Sequence, residues 1–261
     1  MEARFLFLCL VCVTSSCAAI PHERPPEAGE QVRSPTSAGT TAVALVAGVA
    51  SVYEVDSTVT VVDANFGEPS RLHGDLEGRY GVGLQLEHFL LDDWMLFLGF
   101  EQRAFEPDLG DDNITFGEST QEEIFLGTRY LLPWSPLESG RLRPFLQTKL
   151  AWIPSVEFDL TTRLRFDPPL EDAVLVAPYR GSDYWTLGAG AGLAYELSED
   201  CVISLGGFYE WPLSQSEGRS RSRLEQETGN SFVDNLLDGL EYDVEIEPRG
   251  WIAFLRISYA F

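Results

Sequence analysis

The chain has four cysteines, and three of them, Cys9, Cys12 and Cys17, fall in its first seventeen residues. Only Cys201 lies in the body, so no disulfide can form within it, which excludes a small disulfide-stapled secreted domain. Histidine is as scarce, with three in 261 residues. His73 and His88 stand too far apart, and too far from any cysteine, for a zinc-ligand grouping. Basic residues are short as well, 18 against 41 acids, for a formal charge of −23. A phosphate backbone is bound by an excess of Lys and Arg, so nucleic acid is excluded as a partner. Nor is there an apolar run of the roughly 20 residues that a membrane-spanning helix needs.

What is present begins with a leader. "MEARFLFLCLVCVTSSCAA" has Arg4 in a short first region, an apolar run from Phe5 to Val13, and then small residues. That is the form of a signal peptide, expected over 1–19. "TSSC" resembles a bacterial lipobox with Cys17 as the residue that would carry lipid, although Thr14 stands where that motif usually has Leu. Residues 20–42 hold Pro, Glu, Ser and Gly with little apolar content, and read as a flexible linker.

From there the period is two. In "YWTLGAGAGLAYEL", Trp185, Leu187, Ala189, Ala191, Leu193, Tyr195 and Leu197 form one apolar face with aromatics near both ends. The opposite face is small or polar. Eight such segments are expected, at about 43–56, 77–90, 93–105, 120–132, 142–154, 184–197, 201–212 and 249–261. The connections after the second, fourth and sixth are short; those after the first, third, fifth and seventh are long. A transmembrane barrel predicts that alternation, with both chain ends on the tight-turn side.

A soluble lipocalin-like barrel also alternates, but it would turn its apolar face inward and its polar face to water. Here the polar face mixes mid-strand Gly with charges of both signs. Arg79, Glu87, Glu101, Arg103, Glu123, Arg129, Lys149, Glu196, Glu210 and Arg256 are therefore expected inside, because buried charges must be paired. Eight strands leave just enough room for side chains to fill the interior.

The eight-strand count and the ending "WIAFLRISYAF" resemble the small outer-membrane β-barrels of Gram-negative bacteria, of the OmpA transmembrane-domain type. The resemblance implies an all-β, up-and-down antiparallel barrel over 43–261, long loops on the outer side, and both termini in the periplasm. It also implies that Phe261, Tyr259 and Ile257 form the signal read by the barrel-assembly machinery. Outer-membrane lipid and lipopolysaccharide are the surroundings it implies, with a monomer as the expected state and no cofactor.

Catalysis has little to rest on. A serine hydrolase needs a base beside its nucleophile, and there is no G-x-S-x-G elbow. His88 is expected on the lipid-facing side; His73 could reach the outer rim. "GDLEG" and "DLGDDN" carry enough oxygens for a divalent cation but lack EF-hand spacing, and read as solvated loops. The expected role is structural or surface-interacting rather than that of a diffusion porin. A lipid-modifying surface enzyme, a ligand- or cation-binding barrel and a soluble secreted barrel are the alternatives.

The last long connection carries two charge rows. Arg219, Arg221 and Arg223 alternate on one side; Glu241, Asp243, Glu245 and Glu247 on the other, opposite Tyr242, Val244 and Ile246. A protruding ribbon is expected, with facing pairs near 219/245, 221/243 and 223/241. The apolar set is even-numbered up to Ile246 and odd-numbered from Trp251. A β-bulge at Pro248–Arg249–Gly250 is the expected cause of that slip. "NSFVDNLLDGL", between the rows, is expected to be a short helix packed over the barrel mouth or a contact surface.

Overall fold

The computed structural model describes residues 35–61, 70–108, 114–117, 119–137 and 140–261. The leader, Cys17 and most of the linker lie outside these. The side chains of 49–79 and 106–116 also lie outside them, and with them Arg79, His73 and both acidic loop motifs.

Eight strands close into a ring. In ring order they are β1 (Thr41–Val61), β2 (Ser70–Leu91), β3 (Trp94–Asp108), β5 (Ser119–Leu131), β6 (Leu142–Ile153), β9 (Tyr184–Glu196), β10 (Cys201–Pro212) and β13 (Glu241–Ala260). Each pairs antiparallel with its neighbour, and β13 closes on β1 from Ala42↔Ala260 up to Val61↔Tyr242. The short turns and both ends of the ring lie at one end, called here the floor.

The long connections are not open loops. Between ring strands they carry β4 (Ile114–Phe116), β7 (Val156–Leu164), β8 (Ala173–Gly181), β11 (Ser216–Arg221), β12 (Arg223–Gln226) and a helix, α1 (Ser231–Leu237). Hairpin β7–β8 extends the sheet from β5, β12 adds to β8, and β11 adds to the upper part of β13. Together they form a cap above the ring. Asn230 starts α1 by accepting a hydrogen bond from the Phe232 amide at 3.0 Å, satisfying a donor that the first helical turn leaves free.

The ring turns its apolar side chains outward. Leu84, Leu98, Leu126, Leu146 and Leu205 are all more than half exposed, which in water would be a large unfavourable surface. Aromatics edge this band: Trp94, Tyr130, Tyr195 and Tyr259 toward the floor, Trp185, Trp211 and Trp251 toward the cap. Along β9 from Trp185 to Tyr195, ten steps rise about 34 Å, or about 24 Å along the axis at a 45° tilt. The apolar band of membrane barrels is about 25 Å tall.

Two expectations need correction. No bulge separates the halves of β13: its even residues are buried from Tyr242 to Ala260 without a break, Pro248 and Gly250 included. The register shift lies instead in β1, between Gly48 and Ala50 opposite β13. The apolar set changes parity because the surroundings change, hydrocarbon outside the ring and water outside the cap, while the pleat runs straight through. The linker also ends earlier than expected. Residues 35–40 already belong to the barrel floor, with Thr36 buried, the Gly39 amide on the Phe89 carbonyl at 2.8 Å and the Ala38 amide on Asp92 at 3.0 Å.

Candidate functional site: the charged barrel interior

Inward positions of the ring carry eight buried charges among the described residues, and they balance: Glu87, Glu101, Glu123 and Glu210 against Arg103, Arg129, Lys149 and Arg256. The formal −23 of the chain is thus carried elsewhere. Removing a charge from water costs several kcal/mol unless a partner compensates, so alternation alone could not place these groups inside without opposite signs.

They form two groups. On the cap side, Arg103 reaches three carboxylates: Nε to Glu101 Oε1, Nη2 to Glu123 Oε2 and Nη1 to Glu210 Oε2, each at 3.0 Å. Lys149 joins the same set, 2.6 Å from Glu123 and paired also with Glu210. One guanidinium thus ties together β3, β5 and β10, and the ammonium on β6 locks the last two. Tyr184 closes this group above, its hydroxyl donating to Gln121 at 3.4 Å.

Toward the floor, Glu87 is the single acid between two arginines. Its Oε1 accepts from Gln85 at 2.8 Å and pairs with Arg256 Nη1. Arg129 Nη1 stands 3.9 Å from the same oxygen. Arg129 is held instead by Gln147, whose Oε1 accepts from Nη2 at 2.7 Å and Nε at 3.1 Å. Arg256 Nη2 donates to Ser204 at 2.7 Å.

A layer of phenylalanines fills the space between. Lys149 lies 4.3 Å from the centroid of Phe208 and 5.2 Å from that of Phe125; Arg129 lies 4.5 Å from Phe145 and 5.5 Å from Phe97. Cations over ring faces gain most where water is excluded. Gly99 and Gly127 make the layer possible. A Cβ at Gly99 would enter the Phe125 ring, and one at Gly127 the Phe97 ring. Two cavities among the described residues of the interior measure about 20 Å³ at the level of the phenylalanines and about 10 Å³ below, each near the volume of one water.

Of the other residues expected here, Arg79 falls at a bulge between Gly78 and Tyr80, where β2 meets β3. Its side chain is among those not described. Glu196 faces inward at the floor rim, half-buried, and accepts a hydrogen bond from Thr36 at 3.1 Å. His88 faces outward, its Nδ1 3.0 Å from Thr41 Oγ1. Ile257, Tyr259 and Phe261 share the outward face, and the Phe261 amide bonds to Thr41.

The charge ribbon exists with a different register. Arg219 faces Asp243 and Arg221 faces Glu241, two residues from the expected pairing, while Glu217 faces Glu245 and Glu247 leads back to the ring. Arg219 Nε donates to Asp243 at 2.8 Å, and Arg221 Nε to the Gly239 carbonyl at 3.2 Å. Arg223 leaves the ribbon altogether and pairs through its backbone with Val176 of β8. The reason is on the other face. Ser216, Ser220 and Ser222 are buried and donate to the carbonyls of Ser182, Pro178 and Leu237 at 2.8, 2.6 and 3.1 Å. These bonds to fixed backbone set the register, where exposed charges could slide.

Beneath the serines the hydrophobic core continues from the ring into the cap through Phe158, Leu175, Tyr179, Leu237, Leu240, Tyr242, Val244 and Ile246. Phe158 and Tyr179 stack at 4.5 Å. Burial holds the Tyr179 and Tyr242 hydroxyls above the usual phenol range, with hydrogen bonding to Ser216 and to Ser222 acting the other way. In α1, Leu237 is buried and Val233 packs on the core, while Phe232 and Leu236 are exposed. The segment is thus packed on one side and open on the other.

No family model and no curated protein matches the chain. Among solved structures, the outer membrane protein OprG of Pseudomonas aeruginosa aligns over 87% of this chain and 98% of its own, with TM-score 0.56 and 14% identity. The outer membrane protein AlkL, solved in lipid bilayers, aligns over 93% and 97% with TM-score 0.48 and 13% identity. Neisserial surface protein A aligns over 85% and 97% with TM-score 0.39 and 9% identity. The chain has the fold of the small eight-stranded outer-membrane β-barrels.

Proposed function

We propose that the protein is a closed outer-membrane barrel that carries a folded, acidic cap on the outer side, with both termini in the periplasm and a structural or surface-interacting role. The observation that supports this best is the interior: among the described residues, eight balanced charges and a phenylalanine layer pack around cavities of about 10 and 20 Å³. A diffusion porin needs an aqueous lumen of many strands. Among the described residues nothing in the interior pairs a nucleophile with a base, and the reading is non-enzymatic.

The outward leucine band would lie in lipid, and the acidic cap would stand beyond the lipopolysaccharide head groups. Phe261, Tyr259 and Ile257 would serve as the signal for the assembly machinery, and the barrel would be a monomer. Cys17 would bear lipid if the leader is cleaved before it. Expression with the leader in a Gram-negative host tests the reading. The expected product is in the outer-membrane fraction, migrates faster before boiling than after, and gives no porin-sized conductance in planar bilayers. A soluble product without a gel shift would overturn it.

A further inference from the structure

Helix α1 (Ser231–Leu237) is held on one side and bare on the other. Leu237 is buried beneath it and Val233 packs on the core. Asn230 accepts from the Phe232 amide at 3.0 Å. The Asp234 carboxylate accepts from the Thr228 amide at 2.8 Å and the Thr228 hydroxyl at 2.7 Å. These bonds fix the first turn. Phe232 and Leu236, one turn apart on the same face, are nevertheless 72% and 50% exposed.

Lipid does not account for that face. β13 begins at Glu241, shortly after the helix, and reaches its aromatic boundary residue at Trp251. Ten steps of strand rise about 34 Å, or about 24 Å along the axis at a 45° tilt, so α1 stands well above the apolar band. A second copy does not suit it either. Residues 216–248 hold nine acids against three arginines, and from Leu224 to Pro248 there is no Lys, Arg or His. Glu225, Glu227, Asp238 and Glu241, all within six residues of α1 in sequence, are exposed. Of the arginines, Arg219 donates to Asp243 and Arg221 to the Gly239 carbonyl. Two such faces would repel each other, and so would anionic lipid head groups.

We propose that this face of α1 is the docking surface for a cationic peptide segment with an apolar stripe. The stripe lies on Phe232 and Leu236, and the Lys or Arg side chains beside it lie among the surrounding carboxylates. The apolar pair supplies the contact that excludes water, and the acids select the sign of the partner. Because α1 is already folded and packed from beneath, binding orders little of this chain. The proposal rests on the surface-interacting role proposed above and gives that role a partner of stated chemistry.

The test uses the full chain in phosphatidylcholine nanodiscs, with empty nanodiscs as the blank. The probe is a synthetic peptide of about 12 residues, about 18 Å long as a helix, with Leu at every fourth position and Lys elsewhere. It is expected to bind, to slow amide exchange over residues 231–238, and to bind more weakly as salt rises from about 0.05 to about 0.5 M. Phe232→Ser with Leu236→Ser should weaken binding at least about tenfold. Both side chains are exposed, so the gel shift on boiling should stay where it is. Glu225→Gln with Glu227→Gln should weaken binding about two- to threefold, and a peptide with Glu in place of Lys should not bind. No saturable binding to the full chain would overturn the proposal, as would equal binding by the Ser variant or by the Glu peptide. Self-association of the chain that the Ser variant abolishes would overturn it in favour of a second copy. None of these outcomes alters membrane fractionation or the gel shift, so the docking surface can fail while the barrel reading stands.

Discussion

The upper and lower halves of β13 follow one pleat with opposite chemistry. Below Gly250 the outward residues are Trp251, Leu255, Ile257 and Tyr259, and the inward ones include Arg256 and Ser258. Above it the outward residues are Glu241, Asp243, Glu245 and Glu247, and the inward ones are Tyr242, Val244 and Ile246. The cap is an ordinary water-soluble packing, apolar in and charged out. The ring is its inverse. The pleat fixes which residues share a side, and the solvent on the outside decides which side is apolar. A change of hydrophobic parity along one strand can therefore mark a membrane boundary as well as a bulge.

The sharpest way to break this comparison is through the ring's interior. Arg103→Leu would leave Lys149 as the cation that Glu123 and Glu210 meet among the described residues, and would take from Glu101 its guanidinium. Removing one member of a buried ion-pair set costs about 3–5 kcal/mol. The expected outcome is a lower urea midpoint for loss of the unboiled band, or failure to fold into the membrane. The additional change Glu101→Gln should recover part of it, since one uncompensated charge is removed. A wild-type midpoint in Arg103→Leu would mean the charges are not tied as described.

Next come two apolar substitutions that should act on different regions. Ile246→Ala removes volume from the cap core, where such changes cost about 2–5 kcal/mol. It should make the cap susceptible to protease while the boiling shift stays where it was. Leu126→Arg puts a charge in the middle of the outward band, where the cost is about 2–4 kcal/mol in a bilayer. It should lower the ring's midpoint in lipid and leave protease resistance of the cap unchanged. Effects that appear together in both variants would mean that ring and cap are one cooperative unit.

Much of the ring was legible in the sequence because each strand repeats one pattern, and the eight expected segments match eight ring strands within a few residues, apart from the extended ends of β1, β2 and β13. The inward charges were legible for the same reason. The phenylalanines beside them were not: Phe97, Phe125 and Phe254 are apolar residues on the polar parity, and only their sharing a face with Gly99, Gly127 and Arg256 gives them away. The cap was hardest to read. Its strands are short, its pairings join distant segments such as β12 with β8, and its register rests on serines that carry no charge pattern. The arginines were conspicuous in the sequence, whereas the serines between them fix the position.

A smaller effect is expected from alkali. Tyr179 and Tyr242 are neutral in the closed cap and held above the usual phenol value near 10 by burial. In an opened cap they would titrate near 10. As pH rises above 10 the open form loses protons first, so the closed form loses stability there and keeps it in full below. Amide exchange in β11 and upper β13 should accelerate above pH 10 before the ring's gel shift changes. Tyr179→Phe with Tyr242→Phe should move that onset upward; an unmoved onset would assign it to other groups.

The smallest effects compare two neighbours on β11. Ser220 is buried and donates to the Pro178 carbonyl at 2.6 Å. Ser220→Ala leaves that acceptor without its donor, at a cost of about 1 kcal/mol, read as faster exchange in the cap. Arg219 makes the most regular ion pair of the ribbon, yet its side chain is 64% exposed and Asp243 47%. Water and salt screen such a pair, and ordering two long side chains offsets what attraction remains. Arg219→Ala should therefore leave exchange in the cap unchanged at physiological salt. If instead Arg219→Ala loosened the cap more than Ser220→Ala did, the register would be set from the charged face, and the inward hydrogen bonds would follow it.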